Sequence, residues 1–358
     1  MHQTSLEGII NFQPELLLSS PTRDRARRRF YRFTDHFDVK WEAQHPGNVR
    51  EYNRAQLLRL TYDHARSPLL QDTFLRAFFT SLELPLDGDG EDEEEPMDEA
   101  VRSKFFVFAD YLINNFFLPL KASCRQTPQP SPAFHSAISR LQGGVEFAGT
   151  MERISALRGA CLTRDRHRCV VTRKFDRKEA LERTRTARGD ACDDDGNRQN
   201  PAKQAALAIL NMFDYGVGHL IEGVKIDRPS NALTLTASMH DLFGNFHVYF
   251  EPVPEVEPHT YRIETFLDPM FTPLHLPITR TLFLTPERTI EPPSPRLLAI
   301  HRDIARILHL SAAGEYIDEI LWDMGDAGER GAQADGSTDL GRLVHLGLWL
   351  DGSRTCAY

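Results

Sequence analysis

Two residues in one short stretch of the chain could take part in metal chemistry. Asn231 and His240 lie nine positions apart, and the run between them is apolar and compatible with a helix. A neutral imidazole can bind a divalent cation or accept a proton near pH 7. An asparagine amide can hold a neighbouring loop by hydrogen bonds. We therefore predict that Asn231 enters a helix that presents His240, although the same spacing also fits a helix cap followed by a histidine without chemical function.

The elements that would position this stretch can be predicted from hydrophobic periodicity. A helix begins near Thr150, and the short β-branched run from Cys169 to Thr172 predicts a buried strand. An apolar helix is expected from Gln204 to Phe213, and strands are expected at 246–251 and 260–266. Two further helices follow Pro295. The pattern therefore predicts an α+β fold for the region that contains Asn231 and His240.

The first third of the chain has the apolar spacing of helices. Residues 50–66 and 70–82 place apolar side chains at steps of three and four, and 97–118 do so most clearly. We expect the last of these helices to end at Pro119, because proline removes a backbone donor. Many of its apolar residues are aromatic, and they predict packing between helices more readily than stacking on bases.

Charge is segregated along the sequence. The net charge of −9 is accounted for by residues 87–99, which hold nine acidic residues and no basic one. Residues 161–190 hold ten Arg and Lys against five acidic residues, a net of +5. We expect the acidic run to be a solvated loop and the basic run to be either a polyanion-binding surface or a solvated face. The arginine-rich run 23–32 could contact phosphates, act as a nuclear import signal or form the solvated face of a helix.

Several classes of protein are disfavoured by composition. No apolar run reaches the roughly 20 residues of a membrane span, and the N-terminus lacks the pattern of a secretory signal. Five scattered cysteines form no C-x-x-C pair, which favours reduced thiols in an intracellular compartment. A zinc site at Cys161, His167 and Cys169 is a minor alternative, because the spacing is unusual.

Five sequence blocks occur in the order found in a known group of proteins. These blocks are Cys161 to Asp176, Ile209 to Asp214, His219 to Gly223, Asp227 to Thr236, and His240 to Phe246. Together they resemble the HNH nuclease domain of a large set of fungal proteins, over about residues 150–260. The resemblance implies a ββα-metal fold, in which a hairpin and a helix hold one divalent cation, Mg²⁺, Mn²⁺ or Zn²⁺.

The resemblance also implies roles for individual residues. Asn231 matches the asparagine that fixes the loop of the hairpin, and His240 matches the metal ligand on the helix. The implied reaction is metal-assisted hydrolysis of a phosphodiester in DNA, with a histidine of the first strand as general base. In the basic segment, we predict that Arg164, Arg166, Arg168 and Lys174 contact phosphates.

The segment that carries the general base of the family is missing from this sequence. The family motif, which resembles Ala-His-Ile-Ile-Pro, belongs between an acidic loop and the 204–213 helix, but residues 196–204 contain no histidine. Between Cys169 and Asn231 the sole histidine is His219, in a block that the resemblance assigns to a turn and not to the base. Two explanations stay open, a gene model that lacks an exon and a natural degenerate copy.

These observations define one prediction for the whole chain. We expect a helical N-terminal region at 1–125, a linker at 126–148, an HNH-like domain at 150–270 and C-terminal helices at 290–358. The expected function is that of an HNH endonuclease-like protein acting on DNA, impaired by the missing segment. The alternative is a non-catalytic descendant that binds nucleic acid, or a protein partner through 87–99. In both cases we expect an intracellular location, nuclear or cytoplasmic, and no membrane association.

Overall fold

The structure, a computed structural model, describes residue 12 and residues 15–44, 51–87, 97–124, 151–174, 201–221, 223–272 and 276–330. Helices dominate these ranges, and three short strands form one antiparallel sheet. The predicted α+β class is therefore confirmed. No helix among the described residues is both long and apolar enough to span a membrane. Most of the acidic run, the linker and residues 175–200 lie outside the described residues.

The chain divides into two compact units that are not continuous in sequence. Unit 1 draws on the ranges Met1–Ala122, Gln199–Tyr215 and Arg306–Leu350, and unit 2 on Ser123–Arg198, Gly216–Ala305 and Asp351–Tyr358. From composition we predict domain boundaries at 125, 150, 270 and 290. Whether the segments between them fold independently stays a prediction.

Unit 1 is helical among its described residues. Its helices are α1 (Ser20–Gln44), α2 (Arg54–Asp63), α3 (Pro68–Ser81), α4 (Glu99–Leu112), α5 (Leu118–Cys124) and α7 (Pro201–Phe213), with α11 (Ala313–Arg330) near the end of the described chain. Side-chain caps begin three of them: Asn53 accepts from Gln56 N, Ser67 from Leu70 N, and Asp98 from Val101 N. The helix predicted at 50–66 is confirmed with shorter bounds, and the helix predicted at 70–82 is confirmed with a start two residues earlier.

The aromatic residues of unit 1 form its core. Phe30, Phe74, Phe78, Phe105 and Phe108 are fully buried, and edge-to-face contacts with ring centroids 5.0–5.9 Å apart link many of these rings. The rings of this cluster pack against each other, as the spacing predicts, and not on a surface that could stack with bases.

The helix predicted to end at Pro119 continues past it. A π-helical stretch, Ile113–Phe117, follows α4 and leads directly into α5, in which proline is the second residue. The π-helical stretch before Pro119 already departs from the i→i−4 hydrogen-bond pattern, so the backbone donor that proline lacks interrupts no regular α-helical ladder there. The expectation that Pro119 stops the helix is therefore wrong.

Unit 2 contains the stretch from Asn231 to His240. Its elements are α6 (Met151–Arg164), the short helix α8 (Gly218–Ile221), the 3₁₀ turns Gly223–Asp227 and Pro229–Asn231, α9 (Ala237–Gly244), β1 (Val248–Pro252), β2 (Thr260–Thr265), β3 (Ile278–Thr281) and most of α10 (Pro295–Leu310). The two predicted strands are confirmed as β1 and β2, and α10 and α11 confirm the two helices expected after 295. β3 was not predicted.

The sheet has the order β1-β2-β3 and buries one set of alternating side chains. Val248 pairs with Thr265, and Ile263 pairs with both Phe250 and Ile278. The buried residues of this core include Val170, Val171, Met239, Val248, Phe250, Ile263 and Leu298. Helix α9 and the turn after α6 are therefore held on the sheet through apolar contacts, and they carry the candidate functional residues.

Two expectations about local structure in unit 2 are wrong. Residues Cys169–Thr172 are buried in part, but they form a turn and not a strand. Residues 232–236 are extended and not helical, and the helix begins only at Ala237, after Thr236 as its N-cap. The two segments pair with each other instead, since Val170 N donates to Thr234 O at 2.9 Å.

Candidate functional site

Asn231 holds a loop through its side-chain amide. It ends the 3₁₀ turn Pro229–Asn231, and its Nδ2 donates to the carbonyl oxygens of Leu220 and Lys225, both at 2.8 Å. A third, longer contact reaches Ile226 O at 3.5 Å. The side chain therefore connects the end of α8 to the following turn, and it caps no helix.

The same loop is held by a buried ion pair at the end of α6. Arg164 and Asp165 form two hydrogen bonds of 2.9 Å with each other, and both side chains are inaccessible to solvent. Arg164 also donates to Pro229 O at 2.6 Å and to Ala232 O at 2.8 Å. Asp165 accepts from Thr234 N at 3.2 Å. The pair thus satisfies backbone groups before and along the extended segment that leads to α9.

This burial changes the interpretation of Arg164. We predicted from the sequence that it contacts phosphates, but its guanidinium is buried and bonded to an aspartate and to backbone carbonyls, one of which is Glu291 O at 3.1 Å. A group enclosed in this way has no donor facing a ligand in this conformation. Its geometry is that of a residue that positions the loop of Asn231.

His240 is presented from the first half of α9. Its backbone N donates to Thr236 O at 2.8 Å, which places it in the first turn of the helix. The side chain is exposed, while Met239 next to it is fully buried in the core. Within the described residues no hydrogen bond to the imidazole is formed, so its ring nitrogens remain available to a ligand.

A complete metal site is not formed by the described residues. No group of three or more His, Cys, Asp and Glu side chains in those ranges is arranged to hold a metal ion. Cys161 and Cys169 are buried free thiols. Burial raises the pKa of Cys161 to about 11, and Cys169 Sγ accepts from Thr172 N at 3.3 Å. The alternative of a zinc site at Cys161, His167 and Cys169 is thus not supported.

The other end of α9 contacts a histidine that the sequence did not single out. The ring of His301, on α10, stacks on Phe243 with centroids 3.7 Å apart and on Phe246 at 4.7 Å. Its Nε2 lies 2.8 Å from Phe243 O. Because a carbonyl oxygen only accepts, Nε2 carries the proton. Burial lowers the pKa of His301 to about 4, against the opposing effect of that hydrogen bond, so the residue is neutral and structural at pH 7.

The remaining predicted phosphate contacts lie on one turn. Arg166, Arg168 and Lys174 are exposed, in the segment that follows α6. Arg168 Nη1 donates to Arg173 O at 3.0 Å, and Cys169 N donates to Lys174 O at 2.9 Å. These hydrogen bonds fold back on itself the turn that carries all three cations of the sequence prediction.

Three further residues belong to this surface and were missed from the sequence. Arg173 and Arg166 both pack on the ring of Phe283, with Cζ 4.1 Å and 4.8 Å from its centroid. Arg280, on β3, donates from Nε to Val171 O at 2.8 Å. Arg173 lies in the basic run 161–190, which was a usable signal. No pattern in the sequence linked that run to Phe283 or Arg280, about 110 positions later.

The comparison with protein families gives one match. A family model described as HNH endonuclease matches residues 193–251. No curated protein and no solved structure matches the chain. The matched range contains Asn231, the extended segment 232–236 and His240, and it supports the presence of an HNH nuclease domain in this protein.

Proposed function

We propose that this protein is an HNH endonuclease-like protein whose site is built around Asn231 and His240 and whose substrate is DNA. The observation that carries the proposal is the match of the HNH endonuclease model to residues 193–251, which contain both residues. The match supports an activity related to nucleic acid. We further propose that the nucleic acid is DNA, that the activity depends on a divalent metal ion, and that Asn231 and His240 have the roles described below.

The geometry around the two residues supports their roles. Asn231 braces the loop that leads into the extended segment, by two hydrogen bonds of 2.8 Å. That segment enters α9, where His240 offers an exposed imidazole, a group suited to a divalent cation such as Mg²⁺, Mn²⁺ or Zn²⁺. A cation bound there would stabilise negative charge on the phosphate and on the leaving oxygen.

The missing general base sets the expected rate. Between Cys169 and Asn231 the sequence has no histidine other than His219, and His219 N donates to Gly216 O in the turn that begins α8. Loss of a general base typically costs ~10²–10⁴-fold in rate. We therefore propose an impaired nuclease, and the genomic sequence around codons 196–204 would show whether the missing segment lies in an unrecognised exon.

A plasmid-nicking assay tests the catalytic proposal. Supercoiled plasmid is incubated with the full chain and Mg²⁺ or Mn²⁺, and nicked product is quantified over hours. We expect slow nicking that His240→Ala abolishes and that His309→Ala, an exposed histidine of unit 1, leaves unchanged. Nicking that survives His240→Ala would contradict the assignment of the site.

A non-catalytic nucleic-acid-binding protein is the second candidate. Two observations favour it. The exposed cations on the turn after α6 could bind nucleic acid, and the sequence has no histidine at residues 175–218 to act as the general base. Salt-dependent DNA binding without any nicking would select this candidate. Undetectable DNA binding at low salt would remove the support of the basic surface from both.

The remaining parts of the proposal concern cellular context. An intracellular location, a fungal source and a protein partner that binds through residues 87–99 are each proposed from composition or resemblance. A pull-down with the chain and with a variant whose acidic residues between 91 and 95 are changed to Gln or Asn tests the last of these. Partners retained equally by both would contradict it.

A further inference from the structure

Two segments far apart in the sequence form a basic surface around one aromatic ring. The turn 165–174 contributes Arg166 and Arg173, and the segment after β3 contributes Phe283, on which both guanidinium groups pack. Burial lowers the pKa of Arg173, and the nearby positive charge of Arg280 lowers it further. We call this set the arginine–phenylalanine surface.

The backbone of the turn adopts an unfavourable conformation that presents these side chains. Arg166, His167 and Arg173 have positive φ values of 55°, 56° and 59°, a region that residues other than glycine seldom adopt. Such conformations persist where the surrounding structure enforces them, and they concentrate at functional sites. Here the carbonyl of Arg173 is bonded to Arg168, so the turn is held in this form.

The guanidinium of Arg173 is not fully satisfied by the protein. Its Nη2 donates to Thr281 O, while Nη1 is buried and has no hydrogen-bond partner in the described part of the chain. A buried unpaired donor on a cation is costly. An anionic acceptor at this position would satisfy Nη1 and would offset the repulsion between Arg173 and Arg280.

A groove lies beside the same residues. It has a volume of about 480 Å³ and is lined by Arg166, Glu257, Pro258, Thr281, Leu282, Phe283 and Leu284. Glu257 is the acidic residue of this lining, and it is exposed. Asp165 is also near Arg173, but its carboxylate is bonded to Arg164 and to Thr234 N. Positive charge therefore predominates at this face of the described structure.

We infer that the arginine–phenylalanine surface binds the phosphodiester backbone of a nucleic acid, with Arg166 and Arg173 as the phosphate ligands and Phe283 as the residue that fixes their orientation. A guanidinium whose Cζ lies over a ring face can still offer N–H groups to a phosphate, which it can bind through two parallel bonds. The exposed cations Arg168 and Lys174 lie on the same turn as Arg166 and Arg173, and several cations on one turn suit a chain of phosphates better than a single ion. The identity of the polymer as DNA rests on the proposed function.

Binding of a fluorescein-labelled 30-base-pair DNA duplex, measured by anisotropy at several salt concentrations, tests this inference. We expect Arg166→Gln with Arg173→Gln to weaken binding by tenfold or more at 50 mM salt. The slope of log K against log[salt] should fall by about 1.8, because about 0.9 is lost for each phosphate contact. The control, Arg59→Gln on α2 with Arg102→Gln on α4, removes the same charge from half-exposed positions of unit 1 and should change affinity less than twofold.

Further variants keep the test independent of folding. Arg166→Gln alone removes a side chain that makes no hydrogen bond in the described residues, and it should weaken binding about threefold with a slope change of about 0.9. Arg166→Lys with Arg173→Lys should retain the wild-type slope, since the charge is kept. Equal losses in the Gln pair and in the Arg59–Arg102 control, or no loss in the Gln pair, would overturn the inference.

Two comparisons separate this inference from the proposed function and from binding of free phosphate. If the duplex binds as expected but no plasmid is nicked, the surface stands and the catalytic proposal fails. If plasmid is nicked but the variant with both arginines changed to Gln binds the duplex normally, the catalytic proposal stands and the inference about the surface fails. Inorganic phosphate at the same total phosphate concentration should not displace the duplex, and equal displacement would contradict a polymer ligand.

Discussion

Asn231 and Arg164 hold the same loop through its backbone carbonyls. Asn231 reaches the carbonyls of Leu220 and Lys225, and Arg164 reaches those of Pro229 and Ala232. Each hydrogen bond of this kind typically contributes about 0.5–1.5 kcal/mol to stability. Each side chain thus holds one part of the chain segment that leads to His240. Substitution of either residue should therefore lower the free energy of unfolding, independently of any activity.

For Asn231, we expect alanine to lower the free energy of unfolding by about 1–3 kcal/mol, because two carbonyls lose their donor. Aspartate has the same shape but offers only acceptors at neutral pH, so it should destabilise at least as much. Urea unfolding followed by circular dichroism measures both, and trypsin cleavage after Lys225 reports the loop directly. An aspartate variant as stable as the wild type would contradict the hydrogen bonds described.

For Arg164, alanine would leave the carboxylate of Asp165 buried without its cation. Breaking a buried pair in this way costs about 3–5 kcal/mol. The matched control is Lys174→Ala, in the same basic segment and exposed, for which we expect less than about 0.5 kcal/mol. Urea unfolding of the two variants decides between a positioning role and a surface role for Arg164. Equal stability of both variants would restore Arg164 as a surface residue.

Sequence reasoning identifies chemical types at this scale but not exposure. Arg164, Arg166 and Arg168 alternate in one basic run, and nothing in their spacing separates the buried residue from the exposed ones. The difference arises because Arg164 ends a helix whose apolar face is buried, next to an aspartate and a loop rich in free carbonyls. Phe283 was missed for the related reason that its partners come from a distant segment.

At the scale of elements, α9 is held between the core and α10. Met239 is buried in the core, and the rings of Phe243 and Phe246 enclose His301. Once Nε2 donates to Phe243 O, Nδ1 has no partner within the described structure. A second proton would therefore add a buried charge with an unsatisfied donor, which explains the direction of the pKa shift.

This contact predicts an acid-sensitive helix. The pKa of His301 is about 4 in the folded chain, below the ordinary value of 6.5, so the unfolded chain binds a proton first as pH falls. The contribution of His301 to the free energy of unfolding is fully present above about pH 6.5. It is lost as the pH falls from 6.5 to 4, by up to about 3 kcal/mol. His301→Leu should remove this part of the pH dependence of urea unfolding.

Nuclear magnetic resonance of the histidine rings provides the independent measurement. The signal that disappears in His301→Leu should titrate well below pH 6 in the wild-type protein. A His301 signal that titrates near 6.5 would show that the ring is not enclosed in solution as the structure has it.

Periodicity predicts the elements whose apolar pattern is long. The helices at 50–66, 70–82 and 204–213 and the strands at 246–251 and 260–266 were found with small errors in their bounds. Short runs failed, because Cys169–Thr172 and 232–236 each contain too few residues for a period to be measured. Their conformation is decided by their pairing with each other at Val170 and Thr234, which is information from tertiary structure.

At the scale of the whole molecule, each unit is assembled from separated stretches of chain. In unit 1 the backbone N of Asn53 donates to Ser311 O, and Tyr52 packs on Tyr316 with centroids 5.0 Å apart. Lys121, at 1 % exposure, donates to Asp318 Oδ2 at 2.5 Å and to Gly314 O at 2.9 Å. Residues after 306 thus contact residues of the first third of the sequence. The composition along the chain does not reveal this association.

The Lys121–Asp318 pair offers a test of that association over 197 positions. Asp318→Ala would leave a buried ammonium without this carboxylate, and we expect a loss of about 3 kcal/mol in the free energy of unfolding. Glu319→Ala removes the same charge from the next, exposed residue of α11 and should cost less than about 0.5 kcal/mol. Urea unfolding of both variants, with protection of the α5 amides from hydrogen exchange as a local readout, measures the difference. Helix α5 precedes α11 by nearly 200 residues. Lower protection of the α5 amides in Asp318→Ala, but not in Glu319→Ala, would therefore show that the C-terminal helix stabilises the N-terminal helices of unit 1. Unchanged protection in both variants would mean that the Lys121–Asp318 pair contributes nothing to the stability of unit 1.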